Sequence, residues 1–392
     1  MDFSQFASQV EKNSVDLIRN RAELDSSLQD YRSSMSWNTS YIESEISMGK
    51  PHSSGDFQVE STTLLMITPR LPWVTAILKQ SLQTKTLQYD KSYRLMKNLA
   101  IIEAKRIYFS YTLAEEKYKI YQQREQNFLS QLKIAEAKFK SGSLAKKDYV
   151  NFKNSYYEAR LLRMQIQQEI VNLRNALLKM LGLSQVDGAI RVSGLDFKFF
   201  DIRGLDLETR ASQSLLLEIL ALNAKDNAIN AKASSYERWD SFEIGAGLQN
   251  TTQGNLSQNF ATLRVQVPIP LTRKYDHLKK KYLILQSSYL RQEEVQKRNL
   301  KIQALSYGKQ LEIKQDFIKL QKENVDNKRS LVDMGKTAYE AQKISLFEYL
   351  AYQNAYMDGL IKMIDAKLEY VQVQTLLEES LGMILFQGKN NE

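Results

Sequence analysis

Two stretches of the chain alternate between apolar and polar residues, which is the pattern of a half-buried β-hairpin. Over residues 242–248 an apolar side chain occupies every second position, and the same alternation returns over residues 261–267 after a polar loop. Successive side chains of a strand point to opposite faces of a sheet, so a period of two indicates strands. Residues 37–48 and 57–68 show a weaker form of the pattern on either side of the loop GKPHSSGD. The sequence therefore predicts two hairpins.

A long helix is predicted after each hairpin. Residues 74–140 contain neither Gly nor Pro. A straight helix of that length would span roughly 100 Å, because each residue adds about 1.5 Å. Residues 272–338 match this segment and are interrupted only by Gly308 and Gly335. Each long helix is expected to turn and to return as a second helix with apolar residues at three-four spacing.

The sequence indicates an internal duplication with an offset of 200 residues, because residues 139–183 align with residues 339–383 without a gap. Identical pairs are Tyr149 with Tyr349, Asn154 with Asn354, Glu169 with Glu369, Leu177 with Leu377, Leu181 with Leu381, and Gly182 with Gly382. Two prolines precede each long helix, in ITPRLPW and in VQVPIPL, and they support the same register. We divide the chain into a first repeat at 1–183, a connector at 184–204 and a second repeat at 205–392.

Both repeats are predicted to contain a helix, two strands, a long helix, a turn and a return helix. The first has a helix at 4–34, strands at 37–48 and 57–68, a long helix at 74–140 and a return helix at 145–181. The second has a helix at 205–236, strands at 241–250 and 258–268, a long helix at 272–338 and a return helix at 345–381. The predicted fold class is mainly α with a small β part. Since one hairpin is marginal in water and four strands cannot close a barrel, oligomerisation would remove the open edges.

Composition narrows the function classes. The chain has no Cys, which excludes disulfides, a thiolate nucleophile and Cys-based metal sites. Its net charge is +9, but Lys and Arg are interleaved with Asp and Glu along the helices, so we expect solvated helix faces and no nucleic-acid partner. The sequence contains no run of 18 apolar residues, so no transmembrane helix is predicted. The first residues do not form a signal peptide, so either the sequence begins near a mature end or the protein stays inside the cell.

Candidate chemistry is sparse. The sequence has no P-loop, no dinucleotide-binding Gly fingerprint and no G-x-S-x-G motif. Its two histidines, His52 and His277, have no partner at ligand spacing. We therefore expect neither an enzyme nor a cofactor or metal site, although metal cations could still be cargo.

The duplicated segments resemble the TolC family of outer-membrane efflux proteins. The resemblance is carried by AKFKSGSLAKKDYV with its continuation to Gly182, by TAYEAQKISLFEYL with its continuation to Gly382, and by FATLRVQVPIPL. Each repeat has an aromatic residue near the turn, an acidic residue just after it and a closing Leu-Gly. The match covers essentially the whole chain and keeps the family's order of elements.

This resemblance implies a homotrimer in which three chains form a twelve-stranded β-barrel in outer-membrane lipid. The helices would continue as a periplasmic α-helical barrel. The implied partners are a periplasmic adaptor protein and an inner-membrane pump, and the implied location is the outer membrane of a Gram-negative bacterium, extending into the periplasm. The implied function is passive conduction of drugs or metal cations to the outside.

The resemblance also implies a periplasmic gate and selectivity ring. Glu348 stands at the first of two acidic positions that ring the pore in family members, whereas the second position holds Ala351. Tyr339 matches the aromatic residue that helps to hold the helices shut, but Ile344 replaces the basic partner of some members. Three Glu348 carboxylates at one constriction would attract cations and impede anions. An ordinary exposed Glu after a helical turn is the alternative, and Asp148 at the equivalent place is expected to be structural or to face the adaptor.

The adaptor would dock at the two helical turns. The residues implied for this role are Gly142, Ser143 and Leu144 in the first turn and Lys343, Ile344 and Ser345 in the second. A type I protein-secretion outlet of the same fold is an alternative function, since cargo choice lies mostly in the pump. A basic coiled-coil scaffold is the alternative from another class, but it would not explain two hairpins at matched positions.

Overall fold

A computed structural model describes residues 2–50, 57–183, 199, 202, 204–239, 242–269 and 271–385. The helices are α1 (Phe3–Asn13), α2 (Val15–Ser34), α3 (Pro72–Lys140), α4 (Lys146–Leu181), α5 (Leu207–Ser212), α6 (Leu215–Tyr236), α7 (Lys274–Glu340) and α8 (Leu346–Leu381). The strands are β1 (Tyr41–Gly49), β2 (Gln58–Ile67), β3 (Glu243–Gln253) and β4 (Leu256–Gln266). A 3-10 turn at Glu237–Trp239 follows α6. His52 and almost all of the predicted connector at 184–204 lie outside the described residues.

The helix predicted at 4–34 is two helices, because Ser14 interrupts it. Ser14 has an extended backbone, with φ −64° and ψ 116°, and its N–H still bonds to the Val10 carbonyl that ends α1. Its hydroxyl oxygen then accepts the N–H of Leu17, at 3.5 Å, at the start of α2. A serine at this position satisfies a free backbone donor of a new helix. The prediction of a single helix was therefore wrong at this residue.

The helix predicted at 205–236 is also interrupted. Asp206 caps the short helix α5 by accepting the N–H of Thr209 at 3.1 Å. Gln213 ends α5, and α6 begins at Leu215. At this break the Gln213 N–H bonds to the carbonyls of both Thr209 and Arg210, at 3.1 Å each, so the last turn of α5 is tightened and the helix ends. The prediction of a single helix was therefore wrong here too.

The four strands form one antiparallel sheet in the order β1-β2-β3-β4. The central pair β2-β3 joins the two sequence halves, with Ile67 opposite Ile244 and Gln58 opposite Gln253. The strands of the second β-hairpin extend closer to the turn than predicted, because pairing continues through the polar residues to Gln253 and Leu256, and their outer ends lie two residues inside the predicted bounds. Gly254 allows the two-residue turn with its left-handed φ of 56°. The first strand begins later than predicted, at Tyr41 instead of residue 37.

The sheet has one apolar face and one mostly polar face. Side chains on the apolar face are exposed on all four strands: Ile42 71%, Ile46 62%, Leu65 56%, Leu248 68% and Leu263 72%. The opposite face carries Glu43, Glu45, Glu60, Glu243 and Arg264. On this polar face the Arg264 guanidinium bonds to the Glu43 carboxylate, and the Tyr41 hydroxyl donates to Glu243 at 3.0 Å.

The chain forms two compact units, and each takes segments from both sequence halves. The first comprises Met1–Asn20, Arg94–Leu215 and Lys297–Glu392, and the second comprises Arg21–Tyr93 and Leu216–Gln296. The sheet belongs to the second unit. A core of the first unit consists of Phe6, Val10, Ala104, Tyr108, Tyr111, Leu177 and Leu181. A smaller core of the second unit consists of Val74, Leu78 and Ala233.

Helix ends recur at the offset of the sequence match. The long helices end at Lys140 and Glu340, and the return helices end at Leu181 and Leu381. Each return helix is closed by a left-handed glycine, with φ 65° at Gly182 and 66° at Gly382. Glycine takes this conformation without steric cost, which explains the Leu-Gly at the end of both repeats.

Among the residues that the structure describes, no helix is long and apolar enough to cross a membrane.

Candidate functional site

The first turn, between α3 and α4, is a closed backbone motif with an exposed surface. Gly142 has a left-handed φ of 77°, and the N–H of Ser143 bonds to the Lys138 carbonyl at 2.9 Å. The Ser143 hydroxyl donates to the same carbonyl at 3.0 Å, and it also lies 2.7 Å from the Ser141 hydroxyl. Leu144 is half-buried, whereas Gly142 and Ser143 are exposed. Three of the predicted docking residues therefore form one ordered turn.

The second turn, between α7 and α8, repeats this backbone motif with a strained residue. Gln342 takes the place of glycine and has a φ of 57°, the only positive value of a non-glycine residue in the described part of the chain. The N–H of Lys343 bonds to the Ala338 carbonyl at 2.8 Å. Ser345 caps α8, because its hydroxyl accepts the N–H of Glu348 at 3.2 Å. Lys343 and Ser345 are exposed, and Ile344 is half-buried.

Stacked aromatic rings fasten each long helix to its return helix next to the turn. Phe139 stacks on Tyr149 with centroids 5.1 Å apart and an interplanar angle of 8°. In the second helical hairpin, formed by α7 and α8, Tyr339 stacks on Tyr349 with centroids 5.8 Å apart and an interplanar angle of 7°. The Tyr349 hydroxyl also accepts a hydrogen bond of 2.7 Å from the Gln353 side chain. Tyr339 therefore contacts a residue of its own helical hairpin, and its role in closing a pore stays a prediction.

Glu348 lies in the first turn of α8 with an exposed side chain. Its Oε1 atom accepts a hydrogen bond of 3.2 Å from the Tyr352 hydroxyl, one helical turn further on. This hydrogen bond raises the pKa of Tyr352 above its ordinary value. The Tyr352 ring in turn lies against Gly335 of α7, where an added Cβ would come within 2.6 Å of the ring.

Phe347 connects the two helical hairpins, α3–α4 and α7–α8, next to their turns. Its ring stacks on Phe152 of α4 with centroids 5.1 Å apart. The Lys138 ammonium lies 5.6 Å from the centroid of the same ring. Aromatic stacking and a cation–π contact each contribute about 0.5–1.5 kcal/mol. The two helical hairpins, α3–α4 and α7–α8, are therefore in contact through Phe347.

Sequence reasoning missed Tyr352, Gly335 and Phe347. The Glu348–Tyr352 contact had a signal, because residues four apart lie on one face of a helix. The contacts of Gly335 and Phe347 depend on which helices pack together, and no local pattern gives that information.

A row of ion pairs joins α3 to α8, with the basic residues on α3 and the acidic ones on α8. The pairs are Lys105–Glu378 at 2.7 Å, Lys117–Asp365 at 2.7 Å and Arg124–Asp358 at 2.6 Å. The side chains of Lys105 and Glu378 are 2% and 0% exposed, and the Lys105 ammonium reaches both carboxylate oxygens. The two other pairs are partly exposed. The first hairpin's long helix is thus fixed along the second hairpin's return helix.

Two helices expose apolar stripes to which the described residues of the chain offer no cover. On α4 the exposed side chains are Val150, Tyr157, Leu161, Met164 and Val171. Their spacings of seven, four, three and seven are those of a heptad seam. On α7 they are Ile302, Ile313, Leu320, Leu331 and Met334. Stripes of this kind normally bury against another helix, so within the described part of the chain these two faces of α4 and α7 are left without a packing partner.

Among the described residues, no group of three or more His, Asp or Glu side chains is placed to hold a metal ion.

Comparison with solved structures identifies the fold. CusC, whose crystal structures concern folding and transmembrane channel formation, superposes with a TM-score of 0.76 and 15% identity over 97% of this chain and 92% of its own. The outer membrane protein VceC from Vibrio cholerae superposes with a TM-score of 0.74 and 7% identity, over 97% of this chain and 96% of its own. The CmeC outer membrane channel of Campylobacter jejuni superposes with a TM-score of 0.73 and 11% identity, over 97% of this chain and 85% of its own. The chain therefore has the TolC-like fold of these outer-membrane channels, and the predicted fold resemblance is confirmed.

Sequence comparisons give no such similarity. No protein-family model matches the chain, and no curated protein sequence matches it.

Proposed function

We propose that this chain is one of three identical protomers of an outer-membrane efflux channel. The trimer passively conducts small solutes, drugs or metal cations, from an inner-membrane pump and a periplasmic adaptor to the outside of a Gram-negative bacterium. The chain performs no chemistry on its cargo, because a conduit requires only a continuous polar lumen and a gate.

The observation that carries the proposal is the four-stranded sheet with an exposed apolar face and a polar face. Among the described residues β1 and β4 each pair on one side only. Open strand edges are avoided in a membrane, because backbone groups without partners are costly in lipid. Three copies of four strands close a barrel of twelve. Ile42, Leu248 and Leu263 then face lipid, while Glu43 and Arg264 face water.

The exposed stripes on α4 and α7 support the same assembly. In a closed ring of protomers, α4 of one copy faces a helix of the next copy, and its heptad seam from Val150 to Val171 becomes buried. A fully buried Leu or Ile side chain contributes about 1.5–3 kcal/mol. Five such positions on each of two helices provide a large driving force for association.

The turn ends supply the gate and the docking surface of the proposed channel. Glu348 is exposed next to the second turn and would form a ring of three carboxylates on the axis, with Tyr339 beside it. Such a ring attracts cations and impedes anions. The exposed residues Gly142, Ser143, Lys343 and Ser345 form the end surface that an adaptor would contact, with Leu144 and Ile344 half-buried beneath it.

The test is single-channel conductance of detergent-extracted protein in a planar bilayer. We expect discrete openings that favour cations, and we expect Glu348→Ala to reduce that preference. Asp148→Ala is the matched control, because Asp148 occupies the equivalent first turn of α4 and is not assigned to the ring.

The outcomes separate the parts of the proposal. Openings whose selectivity is unchanged in Glu348→Ala would leave the channel standing and overturn the gate assignment. Absence of any openings, with the protein remaining a helical species in solution without detergent, would overturn the channel and favour a coiled-coil scaffold.

A further inference from the structure

We propose that Tyr352 is a specificity-determining residue of the channel, which positions the Glu348 carboxylate and which itself depends on Gly335. The inference rests on the proposed function and adds to it the device that holds the charged group in place. It concerns residues of one hairpin, all within the first compact unit.

The first step is the contact with the carboxylate. Tyr352 donates its hydroxyl to Glu348 Oε1 at 3.2 Å, while the backbone N–H of Glu348 is held by Ser345 at 3.2 Å. The backbone at Glu348 is thus fixed by the helix cap, and the end of its side chain is fixed by Tyr352. A carboxylate without such a partner samples several rotamers, because a glutamate side chain has three rotatable bonds.

The second step is the position of the tyrosine ring. Gly335 is a buried residue inside α7, where glycine costs about 1 kcal/mol relative to alanine. A Cβ at this position would lie 2.6 Å from Cδ2 and 3.2 Å from Cε2 of Tyr352, and 3.5 Å from Cδ2 of Tyr349. The close approach of the Tyr352 ring to the α7 backbone therefore requires glycine. The ring is held against a rigid surface, and its hydroxyl is held beside Glu348.

The third step is the contrast with the first hairpin, which carries a different set of residues at the same offset. In the sequence match Phe152 is opposite Tyr352 and Asp148 is opposite Glu348, and Ala135 lies 200 residues before Gly335, just outside the matched segments. Phe152 has no hydroxyl to donate, and its ring stacks on Phe347. The glycine, the hydroxyl and the longer carboxylate thus occur together in the second hairpin, where Glu348 is proposed to ring the pore.

The fourth step is the consequence for conduction. The field that a carboxylate exerts on a passing ion depends on its distance from the ion's path. A Glu348 carboxylate tethered by Tyr352 keeps one position in all three protomers, so the cation preference is steady. When the tether is removed, the charge remains, but its position varies.

The experiment measures the ratio of K⁺ to Cl⁻ permeability from reversal potentials under a KCl gradient in planar bilayers. We expect Tyr352→Phe to lower this ratio about twofold, because the carboxylate keeps its charge but is free to sample several rotamers. Gly335→Ala is expected to lower it similarly, because the added methyl group displaces the ring. Gly308→Ala is the matched control, because Gly308 lies on the same helix as Gly335 but away from Glu348. A Cβ at Gly308 would meet Leu207 of α5 at 2.5 Å.

A double-mutant cycle separates positioning from a merely structural effect. In a Glu348→Gln background, Tyr352→Phe should produce no further change in the permeability ratio. An equal change in both backgrounds, or normal selectivity of Tyr352→Phe alone, would overturn the proposal while leaving the channel intact. Failure of the unmodified protein to conduct would overturn the proposed function itself, and this inference with it.

Discussion

The buried pair Lys105–Glu378 should be the most costly single interaction to break in this protein. The Lys105 ammonium lies 2.7 and 2.8 Å from the two oxygens of Glu378, and both side chains are almost completely excluded from solvent. Glu378 also accepts the N–H of Leu385 at 2.8 Å, which ties the chain beyond α8 to the same carboxylate. Lys105→Met keeps most of the volume of the side chain but leaves a buried carboxylate without its cation.

The expected loss is about 3–5 kcal/mol, the typical cost of removing one partner of a buried ion pair. Lys117→Met is the matched control, because its pair with Asp365 has the same 2.7 Å distance but side chains 21% and 43% exposed. A partly exposed pair contributes about 0–1 kcal/mol. The double variant Lys105→Met with Glu378→Leu should recover most of the loss, since removing both members of the pair leaves neither charge buried alone and costs only the hydrogen bond from the Leu385 N–H.

The assay is chemical denaturation in detergent, followed by far-UV circular dichroism, for the parent and these variants. A loss for Lys105→Met no larger than that for Lys117→Met would refute the reasoning. So would a double variant that is less stable than Lys105→Met alone.

The pH dependence of this pair has a defined sign. Burial lowers the pKa of Lys105 below its ordinary value of 10.5, against the opposing effect of Glu378. Between the lowered pKa and 10.5 the unfolded chain binds more protons at this site, so its contribution to stability rises with pH in that window. Lys105→Met should remove this rise, which denaturation midpoints measured at successive pH values would show.

Three further predictions follow from individual residues. Gln342→Gly should raise the free energy of unfolding by about 0.5–1 kcal/mol, because glycine adopts the left-handed conformation without strain, and denaturant midpoints would show a decrease if the reasoning is wrong. Burial and then a hydrogen bond to a neighbouring carboxylate raise the pKa of Tyr111 to about 12. Its contribution to stability is therefore complete below pH 10 and lost between about pH 10 and 12, so Tyr111→Phe should be less sensitive to pH than the parent across this range. Gly247→Ala should prevent the sheet from forming, because its Cβ would lie 1.9 Å from the Thr63 carbonyl oxygen. Gly49→Ala is the control, since a Cβ there would have open space. On a denaturing gel, the difference in mobility between unheated and heated samples that marks a folded β-barrel should be lost only in Gly247→Ala.

The long helices could be predicted from the sequence because their determinants are local. Residues 74–140 lack helix breakers, and the structure forms α3 from Pro72 to Lys140. The interruption at Ser14 could not be predicted in the same way, since a serine inside an apolar pattern is compatible with both a continuous helix and a cap. Which conformation occurs depends on the packing of Phe6 and Val10 against Tyr108 and Leu177.

The hairpins were visible as alternation, but the pairing of β2 with β3 was not. That pairing places Met66 opposite Gly245, and a Cβ at Gly245 would lie 2.2 Å from the Met66 sulfur. The register therefore depends on a fit between a large and a small residue some 180 positions apart in the chain. Alternation identifies the face of each residue but says nothing about which strand is its neighbour.

The candidate gate also combines residues that could be inferred from the sequence with residues that could not. The acidic position Glu348 and the aromatic position Tyr339 were inferred from the resemblance, and their assignment to a pore remains a prediction. The structure adds the Tyr352 hydroxyl, which bonds to Glu348 within α8, and two contacts between helices, that of the Tyr352 ring with Gly335 and that of the Phe347 ring with Phe152. Those contacts are set by the packing of α7 and α8 and by the stacking of Phe347 on Phe152, and neither is encoded in a short motif.

The central claim is that three copies of this chain complete one pore, and electron cryo-microscopy of the detergent-extracted particle tests it most directly. The account predicts a threefold-symmetric ring with β1 of each protomer paired to β4 of the next, and with the stripes on α4 and α7 buried between protomers. A monomeric particle, or a ring in which β1 and β4 remain unpaired, would contradict it.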